Sequence, residues 1–330
     1  MPPKLPFKKA FITGGAGFIG SHLVDRLCES NIPVIVYDNL SSGNIKNVKK
    51  WLGNPNFKFI KGDLSKPNNN LARIISECDI IFHLAANPEV KVSSEKPEVH
   101  YTQNVSSTFN LLESVRKSGN IKTFAFTSSS TIYGEPEQIP TPENYAPLKP
   151  ISVYGASKLA SEALIASYAY TYGFNAVIYR LANIVGGRMK HGVIFDFINK
   201  LKKNRRKLEI LGDGTQTKSY LNVEDCIDCM LFVLNKTRSR VEIFNVGSED
   251  QVNVREIADI ICKEIGLENV EYMFTGGVNG GRGWKGDVKV MLLSIEKLKE
   301  IGWKPKLSSR QAVRKAVKEL LEEEDGKREK

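Results

Sequence analysis

The sequence has few of the features that mark a membrane, disulfide-rich or metal-binding protein. No apolar run approaches the roughly 18 to 20 residues that a helix needs to cross a bilayer. The five cysteines are an odd and scattered set, which argues against a disulfide framework and favours free thiols in a reducing compartment. With four histidines, the chain offers no cluster of histidines and carboxylates for a metal ion. The N-terminal segment MPPKLPFKKAF has no separate apolar core of the kind that secretory signals carry, so we expect a cytoplasmic protein.

Cys226 and Cys229 form a CxxC pair, but their surroundings argue against a redox or zinc site. They lie in VEDCIDCMLFVL, where apolar residues recur at helical spacing, and no second pair supplies further ligands. We therefore expect buried or half-buried cysteines on a helix.

The net charge is strongly positive, with 47 basic and 37 acidic residues. The densest basic block is KLKKNRRK at 200–207, and no aromatic residue interleaves with it as a nucleic-acid stacking surface would require. A solvated helix face is therefore favoured over contact with a polyanion, and we expect neither a nucleic-acid nor a membrane partner.

Strand-like and helix-like segments alternate through the first half of the chain. The runs FKKAFIT, VIVYD, FKFIKGD, IIFHLAA and TFAFTSS are short and mostly apolar on both faces, as strands buried in a parallel sheet are. The alternation predicts a Rossmann-like, doubly wound parallel α/β sheet. Beyond AVIYRLAN the elements shorten and glycine-rich turns appear. We expect a first domain at 1–180 and a smaller α+β lobe at 181–330, with later segments such as VEIFNVG returning to the first domain.

A glycine-rich turn follows the first strand and opens the first helix. In FITGGAGFIGSH, Gly15, Gly17 and Gly20 satisfy GxGxxG, while Gly14, Gly17 and Gly20 satisfy the looser GxxGxxG. Such a turn lets the backbone approach a pyrophosphate and directs a helix N-terminus at its charge. The next strand ends in Asp38, 18 residues beyond Gly20, close to the roughly 20 expected for the carboxylate that accepts dinucleotide ribose hydroxyls. Because a carboxylate there repels a 2′-phosphate, domain 1–180 is expected to bind NAD in preference to NADP.

Tyr154 and Lys158 lie four residues apart in ISVYGASKLASEA and share one face of a predicted helix. A phenol with a pKa near 10 is a poor base at neutral pH, but a nearby ammonium stabilises the phenolate. The pair follows a strand that ends in TSSSTIYG, downstream of the dinucleotide turn. These features favour a catalytic tyrosine and lysine over a chance pairing on an ordinary helix.

The motifs occur together, in one order and spacing, across nearly the whole chain: GGAGFIGSH, YDNLSSG, KGDL, FHLAA, TSSSTIYG, YGASK, RLANIVG and FNVGS. In this the sequence resembles the extended short-chain dehydrogenase/reductases, and most closely the UDP-glucose (UDP-galactose) 4-epimerases. The resemblance implies NAD as cofactor, a UDP-sugar as substrate, and a homodimer formed by the helices around 101–117 and 154–171. Residues 181–330 would then bind the nucleotide sugar.

The resemblance also implies the residues of the site. The implied catalytic residues are Tyr154, Lys158 and Ser129. The implied cofactor-binding residues are Gly14, Gly17, Phe18, Ile19, Gly20, Asp38, Asn39, Asp63, Leu64, Leu84, Ala85, Ala86, Asn104, Ser128, Tyr154 and Lys158. The implied substrate-binding residues are Ser129, Ser130, Tyr154, Asn183, Lys218 and Arg282. Lys218 stands where the family usually has an arginine, so a phosphate contact there would be a point charge in place of a bidentate fork.

The implied activity is the NAD-dependent interconversion of UDP-glucose and UDP-galactose through a transient 4-keto sugar. The first alternative is a nucleotide-sugar 4,6-dehydratase or decarboxylase of the same superfamily. Those enzymes carry an acid before the tyrosine-glycine pair, where this chain has Ser130 and Thr131, and this difference favours the epimerase. A non-enzymatic Rossmann protein that binds NAD or RNA is the second, and the intact Ser129, Tyr154 and Lys158 argue against it. The sequence does not distinguish a hexose, an N-acetylhexosamine or a hexuronate as the sugar of the substrate. It does not identify the nucleotide either.

Overall fold

The computed structural model describes residues 5–328, with side chains to residue 323. Within that range the strands are β1 Ala10–Thr13, β2 Val34–Asp38, β3 Phe57–Lys61, β4 Ile80–His83, β5 Thr123–Ser129, β6 Asn175–Leu181, β7 Asn183–Val185, β8 Lys207–Ile210, β9 Thr217–Lys218, β10 Tyr220–Asn222, β11 Val241–Val246, β12 Val252–Asn253, β13 Glu271–Phe274 and β14 Val290–Met291. The α-helices are α1 Phe18–Glu29, α2 Leu71–Ile75, α3 Pro97–His100, α4 Ser107–Ser118, α5 Val153–Tyr172, α6 Val193–Lys203, α7 Val223–Val233, α8 Val254–Ile265, α9 Glu296–Glu300 and α10 Ser309–Arg328. Short 3₁₀ turns lie at Ile45–Trp51, Val90–Ser94 and Ser130–Tyr133, and a π-helical turn at Tyr101–Ser106 joins α3 to α4.

Seven parallel strands form the central sheet, in the order β11-β6-β5-β4-β1-β2-β3. After β3 the chain returns to the other side of β1 as β4, so the strand order reverses between β1 and β4. In doubly wound sheets, ligands bind in the crevice outside the carboxyl ends of the strands at such a reversal. The predicted Rossmann-like fold is confirmed, and its topology places a binding crevice after Thr13 and His83.

The buried strands are those in the middle of the sheet. All residues of β1, β2 and β4 are buried, as their apolar sequences predict. Strand β3 differs, because it forms the sheet edge and exposes Lys58 and Lys61. In β4, His83 is buried between two hydroxyls, with its Nδ1 2.7 Å from Thr13 Oγ1 and its Nε2 3.0 Å from Thr108 Oγ1. Both ring nitrogens are therefore occupied within the fold, which gives this histidine a structural role.

Helix α7 packs against α1 on one face of the sheet. It carries Cys226 and Cys229, both fully buried in the same hydrophobic cluster as Leu23 and Leu27 of α1. Burial raises the pKa of both thiols above the ordinary value, which disfavours the thiolate that metal binding or redox chemistry requires. The prediction of core-facing cysteines is therefore confirmed.

Residues between 185 and 320 form a second hydrophobic cluster. It joins side chains of α6, α8 and α10 with those of β7, β8, β10 and β12. Three small sheets accompany it: β10-β7, β12-β9-β14 and β13-β8. Strand β11, in VEIFNVG, pairs with β6 and so extends the first sheet. Among the helices between residues 5 and 328, none is long and apolar enough to cross a membrane.

Candidate active site

A cavity of about 630 Å³ opens at the carboxyl ends of the central strands and is closed on its other side by the later part of the chain. Its volume lies within the range of roughly 300 to 1,000 Å³ that is usual for small-molecule sites. The sequence-predicted residues that line it are Gly14, Gly17, Phe18, Ile19, Gly20, Asp38, Asn39, Asp63, Leu64, Leu84, Ala85, Ala86, Ser128, Ser129, Ser130, Tyr154, Lys158, Asn183 and Lys218. Among the described residues, Asn104 and Arg282 lie outside this lining.

The glycine turn connects β1 to α1 at the bottom of the cavity. Gly14 adopts a φ of 70°, a left-handed conformation that favours glycine. A Cβ on Gly20 would lie 2.2 Å from the Gly14 carbonyl oxygen, so this position keeps α1 close to the strand. Phe18, the first residue of α1, lines the cavity, which places the N-terminus of the helix there. Free backbone N–H groups and the helix dipole favour an anion at this position.

Asp38 ends β2 with its carboxylate fixed by two backbone N–H groups. Ala16 N donates to Oδ2 at 2.9 Å and Leu40 N donates to Oδ1 at 2.8 Å. Burial raises the pKa of this carboxyl above its ordinary value, while these two donors act in the opposite direction. The carboxylate is therefore oriented before any ligand binds, and its remaining lone pairs can accept hydroxyl hydrogens.

Tyr154 lies in the first turn of α5 and faces the cavity. The helix begins there because Ser152 caps it, with Oγ accepting the Gly155 N–H at 3.0 Å. One turn later, Lys158 is 3% exposed and its Nζ donates to the Thr127 carbonyl at 2.9 Å. Nζ is 6.0 Å from the centroid of the Tyr154 ring. The structure thus places the predicted pair on one helix face, inside one cavity.

Burial sets the proton affinities of this pair. It raises the pKa of Tyr154 to about 12, with a hydrogen bond to Ser129 acting in the opposite direction. It lowers the pKa of Lys158 to about 7, with the charge of Glu162 acting in the opposite direction. In the protein alone the phenol is therefore protonated at neutral pH.

Ser129 and Thr131 form a hydroxyl pair beside Tyr154. Ser129 ends β5, and its Oγ accepts from Thr131 Oγ1 at 2.9 Å and from the Thr131 N–H at 3.2 Å. Both lone pairs of Ser129 are thus used as acceptors, which leaves its hydrogen for Tyr154 or a ligand. The hydroxyl of Thr131 therefore donates to Ser129, and the hydroxyl of Ser129 can in turn donate toward Tyr154.

Asn104 does not line the cavity but forms hydrogen bonds to two segments that surround it. It lies in the π-helical turn between α3 and α4, is 2% exposed, and donates from Nδ2 to Ser157 Oγ at 2.9 Å. Its Oδ1 accepts the Asn87 N–H at 2.8 Å. These bonds connect α5 to the loop after β4. Asn104 therefore positions the segments that line the cavity, while the neighbouring Gln103 takes part in the lining.

The residues expected to bind the substrate in the later part of the chain lie in two locations, one inside the cavity and one outside it. Asn183 and Lys218 line the cavity, and Lys218 Nζ forms an ion pair with Asp287 Oδ1 at 2.6 Å. Arg282 instead turns to the loop after β5, where its Nε donates to Glu135 Oε1 at 3.0 Å. Lys218 and Arg282, the two cations that the resemblance implies as substrate ligands, are therefore not brought together in the cavity.

Several residues that line the cavity were not predicted from the sequence. They include Lys91 of the 3₁₀ turn at Val90–Ser94, Arg188 after β7, and Gln216 and Trp284 beside Lys218. Arg188 Nη2 donates to Asp25 at 2.6 Å, which ties the later lobe to α1. The periodicity of the sequence carries no signal for these residues, because each lies in a turn whose path depends on tertiary packing.

The cavity fits a nicotinamide dinucleotide in its chemistry. An anion site at the N-terminus of α1 and a fixed carboxylate acceptor at Asp38 lie along one wall. Ser128, 3% exposed, lines the same cavity, and its Oγ finds no hydrogen-bond partner among the residues that the structure describes. A dinucleotide with phosphates, ribose hydroxyls and a carboxamide offers a partner to each group.

Comparisons with known proteins agree with this interpretation of the site. The sequence family described as GDP-mannose 4,6 dehydratase matches residues 11–316. A putative UDP-glucose 4-epimerase of Methanocaldococcus jannaschii is 36% identical over 310 residues, covering 93% of this chain and 96% of the relative. A crystal structure of a UDP-galactose 4-epimerase superposes with a TM-score of 0.83 at 42% identity, covering 96% of this chain and 99% of the other. A UDP-glucose 4-epimerase of Thermus thermophilus in complex with NAD gives a TM-score of 0.81 at 30% identity, covering 94% and 98%.

The family match spans nearly the whole chain, and the relatives cover it from end to end with the same fold. The resemblance inferred from the motifs is therefore confirmed at the level of the family. The glycine turn, Asp38 and the Tyr154 and Lys158 pair are the features of the chain that carry it. This protein belongs to the extended short-chain dehydrogenase/reductases of the GDP-mannose 4,6 dehydratase family.

Proposed function

We propose that this protein is a NAD-dependent nucleotide-sugar 4-epimerase that interconverts UDP-glucose and UDP-galactose. One observation carries the proposal: a single cavity joins the dinucleotide turn and Asp38 to Tyr154, Lys158 and Ser129. The names of the relatives support it, since both solved structures are named as 4-epimerases of UDP-sugars and the curated relative carries the name putative UDP-glucose 4-epimerase.

The residues of the chain supply the proton chemistry at the sugar C4. When bound, NAD supplies the acceptor and donor of a hydride. Tyr154 reacts as the phenolate, which a charged Lys158 stabilises, and its Oη takes the proton of the 4-hydroxyl and returns it to the 4-keto oxygen after the sugar has turned its other face. Ser129 Oγ accepts from Thr131, and it turns its single hydrogen from Tyr154 to the same sugar oxygen. Lys158, in its charged form, offsets part of the cost of a buried phenolate.

The residues before the tyrosine-glycine pair favour an epimerase over a dehydratase. Loss of water from the sugar needs an acid near C5 and C6, and the two positions that would supply it are Ser130 and Thr131. The Thr131 hydroxyl donates to Ser129, so it serves the hydroxyl chain at C4. A hydroxyl with a pKa far above neutrality does not replace a carboxylic acid in proton transfer.

The remaining residues of the cavity hold the cofactor and substrate. In this proposal the turn from Gly14 to Gly20 and Asp38 bind the dinucleotide, and Asn183 and Lys218 bind the diphosphate of the nucleotide sugar. Asn104 acts as a positioning residue. The division into a cofactor domain at 1–180 and a substrate lobe at 181–330 follows, with β11 belonging to the first.

A homodimer is part of the proposal. The helices around 101–117 and 154–171 expose aromatic side chains: Tyr101 is 64% exposed, Phe109 44% and Tyr170 70%. Aromatic residues are enriched at protein–protein interfaces, so these exposed side chains fit a surface that a second copy of the chain covers. Size-exclusion chromatography with light scattering tests it, and a monomer at micromolar concentration would contradict it. Five unpaired cysteines, all buried, support the expectation of a reducing, cytoplasmic setting.

The activity is tested by supplying UDP-glucose and UDP-galactose separately, without added cofactor, and analysing the products by NMR and mass spectrometry. The proposal predicts that both reactions reach the same mixture with no change of mass. Tyr154→Phe serves as the control that keeps the cavity but removes the base. A product lighter by one water would replace the epimerase with a dehydratase.

A further inference from the structure

The loop 186–192 joins β7 to α6, and its residues from 188 to 192 line the cavity. Its backbone is unusual, because Arg188 adopts a φ of 66° and Gly192 a φ of 92°. Glycine tolerates this left-handed conformation, whereas a residue with a side chain adopts it at a cost in free energy. Such a conformation persists at Arg188 only where the surrounding structure enforces it.

The side chain of Arg188 connects the loop to α1, the helix whose N-terminus faces the cavity. Its Nη2 donates to Asp25 Oδ2 at 2.6 Å, and its Nη1 donates to Ser21 Oγ at 3.1 Å. Asp25 is 9% exposed, and its other carboxylate oxygen accepts the indole N–H of Trp51 at 2.7 Å. Because Asp25 is itself held by a second element, Arg188 binds the loop to a fixed point on α1.

Side chains of α1 and α10 also bind the backbone at the start of the loop. Gly187 N donates to Glu319 Oε2 and Arg188 N donates to Glu323 Oε1, each at 2.8 Å. The carbonyl oxygen of Gly187 lies 3.2 Å from Nε2 of His22 on α1. Helices from both ends of the chain therefore hold the loop in the conformation that places residues 188–192 against the cavity.

We propose that Arg188 is a positioning residue for nucleotide-sugar binding, which acts through the loop 186–192. The inference rests on the proposed function, which places the nucleotide sugar on the side of the cavity that residues 181–330 form. Arg188 directs two of its N–H groups at α1, so its effect on the substrate passes through the shape of the loop. Without the bonds to Ser21 and Asp25, the left-handed backbone at Arg188 relaxes and residues 189–191 move from the cavity wall.

Cofactor binding depends on other contacts. The Asp38 carboxylate is held by the N–H groups of Ala16 and Leu40, and the anion site is the N-terminus of α1 itself. Loss of the Arg188 side chain should therefore weaken the binding of the nucleotide sugar more than the binding of NAD.

The test separates substrate affinity from turnover. Steady-state kinetics with UDP-galactose on the full chain loaded with NAD compare the unmodified protein with Arg188→Met, Asp25→Asn and the double variant. Each single variant should raise KM by roughly 5- to 50-fold, the effect of losing a charged hydrogen bond, with kcat changed by less than about 3-fold. The double variant should raise KM no further, because both substitutions remove the same contact. Calorimetry with UDP-galactose in a Tyr154→Phe background measures the same change as a dissociation constant without turnover.

Two further variants control for a general effect on the fold. Arg188→Lys keeps one donor for Asp25 but loses the fork that also reaches Ser21, so it should recover part of the affinity. Arg26→Met is the matched control, since Arg26 lies on the same helix but pairs with Glu224 and Asp228 of α7. This control should leave KM near the value of the unmodified protein.

An unchanged KM in Arg188→Met, or an equal rise in Arg26→Met, would overturn the assignment. A rise in Arg188→Met that Asp25→Asn does not share would also overturn it, because Arg188 would then contact the substrate directly. Failure of the proposed function gives a different result. A protein that binds UDP-galactose without converting it refutes the proposed function, and calorimetry still decides this inference, whereas a protein that does not bind UDP-galactose refutes both.

Discussion

Replacing Asp38 by asparagine removes the charge that is expected to select NAD over NADP while keeping the shape of the side chain. The carboxylate accepts from Ala16 N and Leu40 N, one oxygen to each. An asparagine supplies one acceptor oxygen, so one of these N–H groups loses its partner and affinity for both cofactors falls. The ratio of the two dissociation constants is therefore the informative quantity, since this loss is common to both.

The size of the effect follows from the environment of Asp38. Two unit charges about 4 Å apart interact with about 1 kcal/mol in water and about 4 kcal/mol at the effective dielectric constant near 20 that suits protein sites. Asp38 is 6% exposed, which favours the upper part of this range. A 2′-phosphate carries at least one such charge, so Asp38→Asn should narrow the preference for NAD by roughly 50- to 1,000-fold.

Calorimetric titration of both cofactors into the unmodified protein and the variant measures this ratio. Asp63→Asn is the control, because Asp63 also lines the cavity but is expected to contact the adenine, which the two cofactors share. The control should change both affinities in parallel. Equal affinity of the unmodified protein for NAD and NADP, or an unchanged ratio in Asp38→Asn, would refute the electrostatic account of selectivity.

Three further predictions concern catalysis and stability. Tyr154→Phe should lower turnover by roughly 10²- to 10⁴-fold with cofactor affinity retained, and near-normal turnover in a coupled assay would contradict its role as base. Glu162→Gln leaves Arg180, which is 4% exposed, without its full ionic partner, so urea denaturation should show a loss of about 3 to 5 kcal/mol. Glu113→Gln, in a pair open to solvent, should change stability far less, and equal losses would contradict the reasoning. Burial lowers the pKa of His83 to about 3, so the unfolded chain binds more protons between pH 3 and its ordinary pKa near 6.5. Stability should fall as the pH drops below about 6.5, by about 1.4 kcal/mol per unit, and His83→Gln should reduce that slope in denaturation measured between pH 5 and 7.

Local patterns were sufficient to predict the first half of the site. The turn at Gly14 follows a strand of apolar residues and precedes a helix of 3.6-residue periodicity, so sequence order alone placed it at the carboxyl end of that strand. Tyr154 and Lys158 share a helix face by spacing, and Asp38 ends a strand. In each case the predicted residue lies within or at the end of a helix or strand. Because helices and strands have recognisable hydrophobic periods, the position of such a residue can be predicted from the sequence.

The parts that the sequence did not predict depend on tertiary packing. Arg282 lies in a glycine-rich loop with no period, and its turn toward Glu135 follows from contacts 147 residues apart in the chain. The raised pKa of Tyr154 and the lowered pKa of Lys158 follow from burial, which a four-residue spacing does not reveal. The edge position of β3 likewise depends on strand order, so its exposed lysines differ from the buried strand that its composition indicated.

The central claim is that hydride leaves and returns to the same sugar carbon within one turnover, and an isotope experiment tests it most directly. UDP-glucose carrying deuterium at C4 is incubated with the protein in ordinary water, without added cofactor, and the product is analysed by NMR and mass spectrometry. The account predicts UDP-galactose that retains its deuterium at C4 and has the mass of the substrate. Deuterium found at C6 of a product lighter by one water, or lost to the solvent, would contradict it.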